Sequence, residues 1–237
     1  MKKLIFLAAI LFWCNSVFAA ENGADILRET AKAMKYDKLN EFQSSKKVMN
    51  LKAMGQSIEL SMIQKGNDKI RIEQKMNGMT QVIVKNGSKI MLLSPMYQEL
   101  PEEQWTQIHS QVTSQDLNVN QLIEDTNNVI EYIGTEDYNG KSCKKVEIKE
   151  KTPSAESQGV EHVYIFVDAI TKWVVGTQVI VKDQGTIDMI FSDMKKIKGF
   201  IYPGLISTKF NGQESASIEV TDYQVNIDLD DKLFEKQ

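Results

Sequence analysis

Few residues in this chain could do chemistry. Its two histidines, His109 and His162, each lack a partner at metal-ligand spacing. The sequence contains no Cys-x-x-Cys pair and no Gly-x-Ser-x-Gly turn, and its carboxylates are scattered rather than paired. We therefore predict that the protein is not an enzyme and holds no metal or cofactor.

Cys143 is the one cysteine outside the N-terminal region, and it has two interpretations. The flanking Lys144 and Lys145 could lower its pKa and make the thiol reactive. Successive side chains on a strand point to opposite faces, however, so adjacent lysines do not face the sulfur. The pattern favours a buried, small hydrophobic residue.

The N-terminal residues have the pattern of a secretory signal. Lys2 and Lys3 precede an apolar run at 4–13, and Val17-Phe18-Ala19 fits a cleavage site, so we predict a signal peptide over 1–19. The apolar run is too short for a membrane anchor. Trp13 is bulky for a lipoprotein processing site at Cys14, which disfavours that alternative.

Cleavage after Ala19 changes the composition in two ways. The formal net charge falls from −4 to −6, because two of the 28 basic residues are lost and none of the 32 acidic ones. An acidic chain is a poor partner for nucleic acid. Loss of Cys14 leaves no internal disulfide. Residues 20–237 contain no Pro- or Ser-rich linker, and we predict a single domain.

Helical spacing occurs in three places. Leu27, Ala31 and Met34 recur at helical intervals behind a cap at Asn22 with Asp25. A second helix is predicted after Pro101, with Trp105, Ile108 and Val112 on one stripe. A third is predicted at about 119–124, capped by Asn118.

The rest of the chain is typical of strands. Asn77-Gly78 and Asn86-Gly87 are predicted type I′ turns, and Asn139-Gly140 is a predicted turn. Residues 151–159 are predicted as a loop, and a bulge near Asp222 reconciles the parity of the last strand. The predicted strands are 46–54, 57–65, 68–76, 79–86, 89–94, 129–137, 142–149, 160–168, 172–181, 185–195, 205–210 and 216–226.

These elements predict a mainly β (α+β) fold. Sequential antiparallel hairpins on this scale form a curved sheet, an incomplete β-barrel. The helices are too few to cover both faces of a flat sheet, so they are expected to act as a lid or plug. The continuous apolar run at 90–93 predicts that one face of its strand lies under the helix carrying Trp105.

The order of several segments is similar to that of the LolA/LolB-type lipoprotein-localisation carriers, over nearly the whole mature chain. These segments are Gln64-Lys65-Gly66, Lys69-Ile70-Arg71-Ile72-Glu73, 82–95, Asn139-Gly140-Lys141-Ser142-Cys143-Lys144-Lys145-Val146 and 163–168. The resemblance implies an incomplete barrel closed by helices around an apolar cavity that holds acyl chains. In the carriers an Arg-Pro pair helps hold the lid closed, and Lys65 and Gly66 stand at the matching positions. Lysine cannot make the planar bidentate contact of arginine.

The ligand-binding prediction combines this implied cavity with apolar patterns. Methionines on strands suit variable acyl chains, and Ile187, Met189 and Phe191 alternate with polar residues. Ordinary core packing predicts the same patterns. The predicted cavity and lid residues are Met62, Lys65, Ile70, Ile72, Met91, Leu93, Trp105, Ile108, Val112, Met189 and Phe191.

The function expected from the resemblance is a periplasmic binding protein that holds lipid or lipoprotein acyl chains, as a carrier to or at the outer membrane. Its expected partners are those acyl chains, with an inner-membrane transporter or an outer-membrane acceptor, and it is expected to be a monomer. The alternative is a periplasmic sensor or interaction domain on the same fold that binds a protein partner.

Overall fold

The computed structural model describes residues 21–113, 117–154 and 157–236. The predicted signal peptide at 1–19 lies outside these residues. No described helix is both long and apolar enough to cross a membrane.

The described strands form one antiparallel sheet of 13 strands. Its spatial order is β6-β5-β4-β3-β2-β1-β13-β12-β11-β10-β9-β8-β7. The strands are β1 Ser44–Ala53, β2 Gln56–Lys65, β3 Lys69–Met76, β4 Met79–Asn86, β5 Lys89–Ser94, β6 Gln98–Glu99, β7 Asn128–Tyr138, β8 Lys141–Glu150, β9 Val160–Asp168, β10 Val174–Val181, β11 Gly185–Ile197, β12 Phe200–Phe210 and β13 Gln213–Val225.

Two meanders make up this sheet. Strands β1–β6 and β7–β13 are each joined by hairpins, and they meet at the pairing of β1 with β13. The sheet is not closed, since β6 and β7 form its two edges among the described strands. The predicted incomplete barrel is confirmed.

The helices are α1 Gly23–Met34, α2 Glu102–Thr113 and α3 Val119–Glu124, as predicted. Two short 3-10 helices, Tyr36–Glu41 and Asp231–Phe234, and the two-residue strand β6 were not predicted. Strand β12 begins before its predicted start at 205. Elements this short, and strand starts in mixed sequence, carry little periodicity for a pattern to detect.

Most predicted turns are confirmed, with one correction. Asn77-Gly78 and Asn139-Gly140 have positive φ at both positions, as type I′ requires. At Asn86-Gly87 only Gly87 does, with φ of 60°. Asn86 pairs with Lys89, so the central residues are Gly87 and Ser88. Glycine at the first central position fits a type II′ turn, which suits strand twist equally well.

The predicted bulge in the last strand is also confirmed. Val48 pairs with Asp222 and Met49 pairs with Val220, so Thr221 is the extra residue on β13. The bulge brings Val220 and Tyr223 to the same side, where both contact the main core.

The sheet has two covered faces. On the helix face, apolar side chains of both meanders form one core with residues of all three helices. On the opposite face, which we call the outer face, residues 226–236 run across β2–β5. There Leu229 and Phe234 pack on Ile63, Val84 and Met91.

Candidate functional site: the helix face

The centre of the helix face is an apolar layer built by strand alternation. Ile70 and Ile72 of β3 and Ile83 of β4 point to this side, and all three are buried. Every second residue of a strand faces the same way, so the residues between them point to the outer face. Ile90 of β5 extends the layer toward the edge of the sheet.

Helix α2 contacts this layer through its side chains. Trp105 and Val112 are buried in the shared core, and Ile108 is partly buried against it. The Trp105 ring stacks on His109 with 5.2 Å between ring centroids. The spacing 105, 108, 112 therefore forms the predicted apolar stripe.

Two polar ties hold the start of α2. The Leu100 amide donates to the Ile90 carbonyl at 2.9 Å, which anchors the chain to β5 just before the helix. The Lys85 ammonium donates to Glu102 at 2.8 Å and lies 5.6 Å from the Trp105 ring centroid. Lys85 is two residues from Ile83 on β4 and therefore points to the same face, which is why a lysine faces the helix here.

Helix α1 is attached more deeply. Asn22 caps its start by accepting from the Ala24 amide at 2.9 Å, and Leu27 and Met34 are completely or almost completely buried. Its first residue, Gly23, lies directly against β7. A Cβ built at Gly23 would stand 2.8 Å from the carbonyl carbon of Glu131.

Eight of the predicted site residues do lie on the helix face. Met62, Ile70, Ile72, Trp105, Val112 and Phe191 are buried in its core, and Ile108 and Met189 pack at its border. Their role in ligand binding stays a prediction, since core packing alone accounts for these positions.

Three predicted site residues lie instead on the outer face. Met91 and Leu93 pack there, and Ile90 and Leu92 take the place under α2 that the 90–93 run was predicted to supply. The hairpin pairing fixes this parity, because Ile83 pairs with Leu92 and Lys85 pairs with Ile90, and directly opposite residues of an antiparallel pair share a face. The turn around Gly87 is the signal in the sequence that predicts this pairing.

Lys65 is the third, and its contacts differ from the lid contacts that the resemblance implied. Its ammonium donates to the Leu229 carbonyl and to Asp231, both at 2.8 Å. The hydrogen bonds from Lys65 and Lys69 lower the pKa of Asp231. Lys65 thus ties down the C-terminal segment rather than a helix of the other face.

Lys85 and Glu102 were missed by sequence reasoning, although a signal existed. Val82-Ile83-Val84-Lys85 reads as a continuous strand, and its alternation places Ile83 and Lys85 on one face. A charged residue on the face opposite an apolar helix stripe indicates a partner on that helix. Glu102, in the first turn of α2, is that partner.

Cys143 and His162 are the remaining residues that the sequence offered as candidates for chemistry. Cys143 is fully buried, as favoured from the sequence, and burial raises the pKa of its thiol to about 11. His162 Nδ1 lies 2.6 Å from the Glu147 carboxylate on the outer face. Burial opposes ionisation of Glu147, but hydrogen bonds from Lys149 and His162 hold its pKa below the usual value. Among described residues no cluster of three or more metal-ligating side chains occurs.

Two surface pockets lie away from the helices. One, of about 660 Å³, is lined by the β1–β2 tip and the start of β13; the other, of about 210 Å³, lies on the outer face beside Arg71 and Tyr97. Neither is lined by residues of α1, α2 or α3. The helix face itself is packed by helix side chains, so a guest there must displace some of them.

An open antiparallel sheet with helices packed on one face defines the fold class, and solved structures share it. A domain from Vibrio parahaemolyticus assigned to outer membrane lipoprotein sorting is 12% identical with a TM-score of 0.55, covering 90% of this chain and 96% of that one. A LolA superfamily protein from Nitrosomonas europaea is 13% identical with a TM-score of 0.54, covering 92% and 99%.

A third similar structure is a DUF1329 family protein from Desulfovibrio piger. It is 14% identical with a TM-score of 0.53, covering 91% of this chain and 98% of that one. No protein-family model and no curated protein matches the sequence. The predicted LolA/LolB-type resemblance is confirmed for the fold.

Proposed function

We propose that the protein is a periplasmic binding protein that takes acyl chains of a lipid or lipoprotein between α2 and the helix face, without catalysing a reaction. The observation that carries the proposal is the apolar layer of Ile70, Ile72 and Ile83 under a separate, weakly tied helix. The shared fold with a domain assigned to lipoprotein sorting supports it.

The driving force is exchange of one apolar cover for another. When α2 lifts, the strand isoleucines lose the contacts of Trp105 and Val112. An acyl chain restores them, and each buried methylene contributes about 0.8 kcal/mol. A long chain can thus offset the cost of lifting α2, and it is released once a membrane offers an equivalent apolar environment.

The structure supports α2 as the moving part. Its start is fixed by the Leu100–Ile90 hydrogen bond, so the helix can rotate about 100–101 while β6 stays paired with β5. By contrast, α1 packs closely against β7, β8, β12 and α3. Within the described chain, no element packs against α2 to a comparable extent.

Export is part of the proposal and rests on the pattern of residues 1–19. Expression of the full chain in a Gram-negative host should yield periplasmic protein whose N-terminus is Ala20. Intact-mass measurement of the purified protein checks this. Retention of the full-length mass in the cytoplasm would contradict periplasmic action.

The binding site can be tested with two single-tryptophan variants of the mature chain, which contains Trp105 and Trp173. In Trp173→Phe, Trp105 is the only reporter, and a fatty acid brominated along its chain should quench it strongly. In Trp105→Phe, the reporter is Trp173, which precedes β10 near Met34 of α1 and should be quenched little.

Two results would count against the proposal. Equal quenching of both variants would indicate non-specific adsorption rather than entry under α2. No quenching of either variant, together with purified protein that yields no lipid on solvent extraction and a stoichiometric protein partner in a pull-down, would favour the interaction-domain alternative.

A further inference from the structure

Lys85 is a cation placed at the border between the apolar layer and its removable cover. Its side chain is 21% exposed, and its backbone lies between Ile70 of β3 and Ile90 of β5, both buried on the helix face. Among the described ion pairs, that of Lys85 with Glu102 is the one that joins a strand to α2.

Lifting α2 has an electrostatic consequence at this point. Glu102, which is 60% exposed, leaves with the helix into solvent and loses little. Lys85 stays on the sheet beside an apolar guest, and a charge next to apolar surface is costly unless it is paired. The open site therefore lacks one anion at a defined position.

We propose that the ligand supplies this anion: Lys85 exchanges the Glu102 carboxylate for an anionic head group, a carboxylate or a phosphate, of the bound amphiphile. This inference rests on the proposed function and narrows its ligand class to acyl chains with an anionic head. Neutral amphiphiles of the same chain length bind more weakly, because they leave Lys85 unpaired.

The exchange gives Lys85 and Glu102 different effects on binding. Glu102 opposes either ligand, because its pair with Lys85 breaks whenever α2 lifts, whereas Lys85 attracts only the anionic head group. A purely structural role of the pair predicts that loss of either residue changes the affinities for both ligands alike. The ratio of affinities for an anionic and a neutral ligand separates these two cases.

The experiment measures displacement of a neutral fluorescent acyl probe by laurate and by dodecanol, which share chain length and differ in the head group. The wild-type protein should bind laurate about tenfold more tightly, as expected for a hydrogen bond to a charged group. Lys85→Met should remove this preference. Glu102→Gln should keep the preference and raise the affinity for both ligands.

A matched control is Lys75→Met. Lys75 pairs with Glu59 at 2.7 Å, but it lies on the parity of the outer face and should leave the preference unchanged. Dodecyl phosphate, tested alongside, distinguishes a phosphate head group from a carboxylate by which of the two binds more tightly.

The failures of the two proposals are distinguishable. If neither laurate nor dodecanol displaces the probe, the acyl-binding function itself fails. If both bind the wild-type protein equally, or if Lys85→Met keeps the preference for laurate, the head-group inference is wrong and acyl binding stands.

Discussion

Helices α1 and α2 are both 12 residues long and cover the same face of one sheet, but they are attached in different ways. Helix α1 buries Ile26, Leu27, Thr30 and Met34 and places Gly23 against the β7 backbone. Helix α2 buries Trp105 and Val112 and is tied at its start by Lys85. Both helices contribute to one core, but α1 does so with more buried side chains, and α2 is the cover in our proposal.

The difference explains how the sheet would stay folded while an acyl chain enters as proposed. The fold needs α1 to bury the second meander, because that helix packs with β7, β8 and β12. The first meander has its outer face covered by residues 226–236. It can therefore lose α2 from the other face and keep a packed side.

The largest expected effect is at Leu27 of α1. Leu27 is completely buried, so Leu27→Ala should lower the free energy of unfolding by about 2–5 kcal/mol through lost transfer energy and a residual cavity. Urea denaturation measures it. Ile108→Ala, at a partly buried position of α2, is the matched control and should cost less. An equal or larger loss at Ile108 would remove the distinction between core helix and cover.

Hydrogen exchange should show the same contrast without any substitution. Amides of α1 are expected to exchange only through global unfolding, whereas those of α2 open locally and exchange on the order of a hundredfold faster. Native-state exchange followed by peptide mass spectrometry resolves the two helices. Equal protection of α1 and α2 in the absence of ligand would contradict a lifting cover.

The third effect tests the close contact of α1 with β7. Gly23→Ala should destabilise the protein by about 1–3 kcal/mol, because the new Cβ would stand 2.8 Å from the Glu131 carbonyl carbon and 2.9 Å from the Tyr132 nitrogen. Backbone atoms cannot move aside as a side chain can. Glu29→Ala, exposed on the same helix, is the control, and thermal unfolding compares the two. A neutral Gly23→Ala would mean that α1 sits less tightly on β7.

Much of this architecture was predictable from the sequence, for identifiable reasons. The stripe Trp105-Ile108-Val112 and the cap at Asn22 are local signals, and the structure confirms both. The bulge near Asp222 followed from a parity change within one strand. Periodicity and capping act within a few residues, so one sequence is enough to detect them.

The side of the sheet that a given side chain faces was not predictable in the same way. Met91 and Leu93 were assigned to the cavity, but the hairpin pairing of Ile83 with Leu92 and of Lys85 with Ile90 places Ile90 and Leu92 there instead. Lys65 was assigned to the lid, but the C-terminal segment reaches it on the other face. Which face of a hairpin lies under a helix, and which strand the C-terminal segment reaches, depend on contacts between elements distant in sequence, which a local pattern does not encode.

The smallest expected effect comes from removing the asparagine caps at the starts of α1 and α3. Asn22→Ala removes the hydrogen bond from the Ala24 amide and should cost about 1 kcal/mol of global stability, because α1 belongs to the core. Asn118→Ala removes the equivalent bond from the Asn120 amide at the start of α3.

Helix α3 follows α2 in the chain and packs on α1 and β7. Its cap therefore tests whether α3 belongs to the core or moves with α2. If the core includes α3, urea denaturation should give similar losses for the two variants. If α3 lifts with α2, Asn118→Ala should leave global stability unchanged and speed exchange in α3 alone, which would extend the cover from one helix to two.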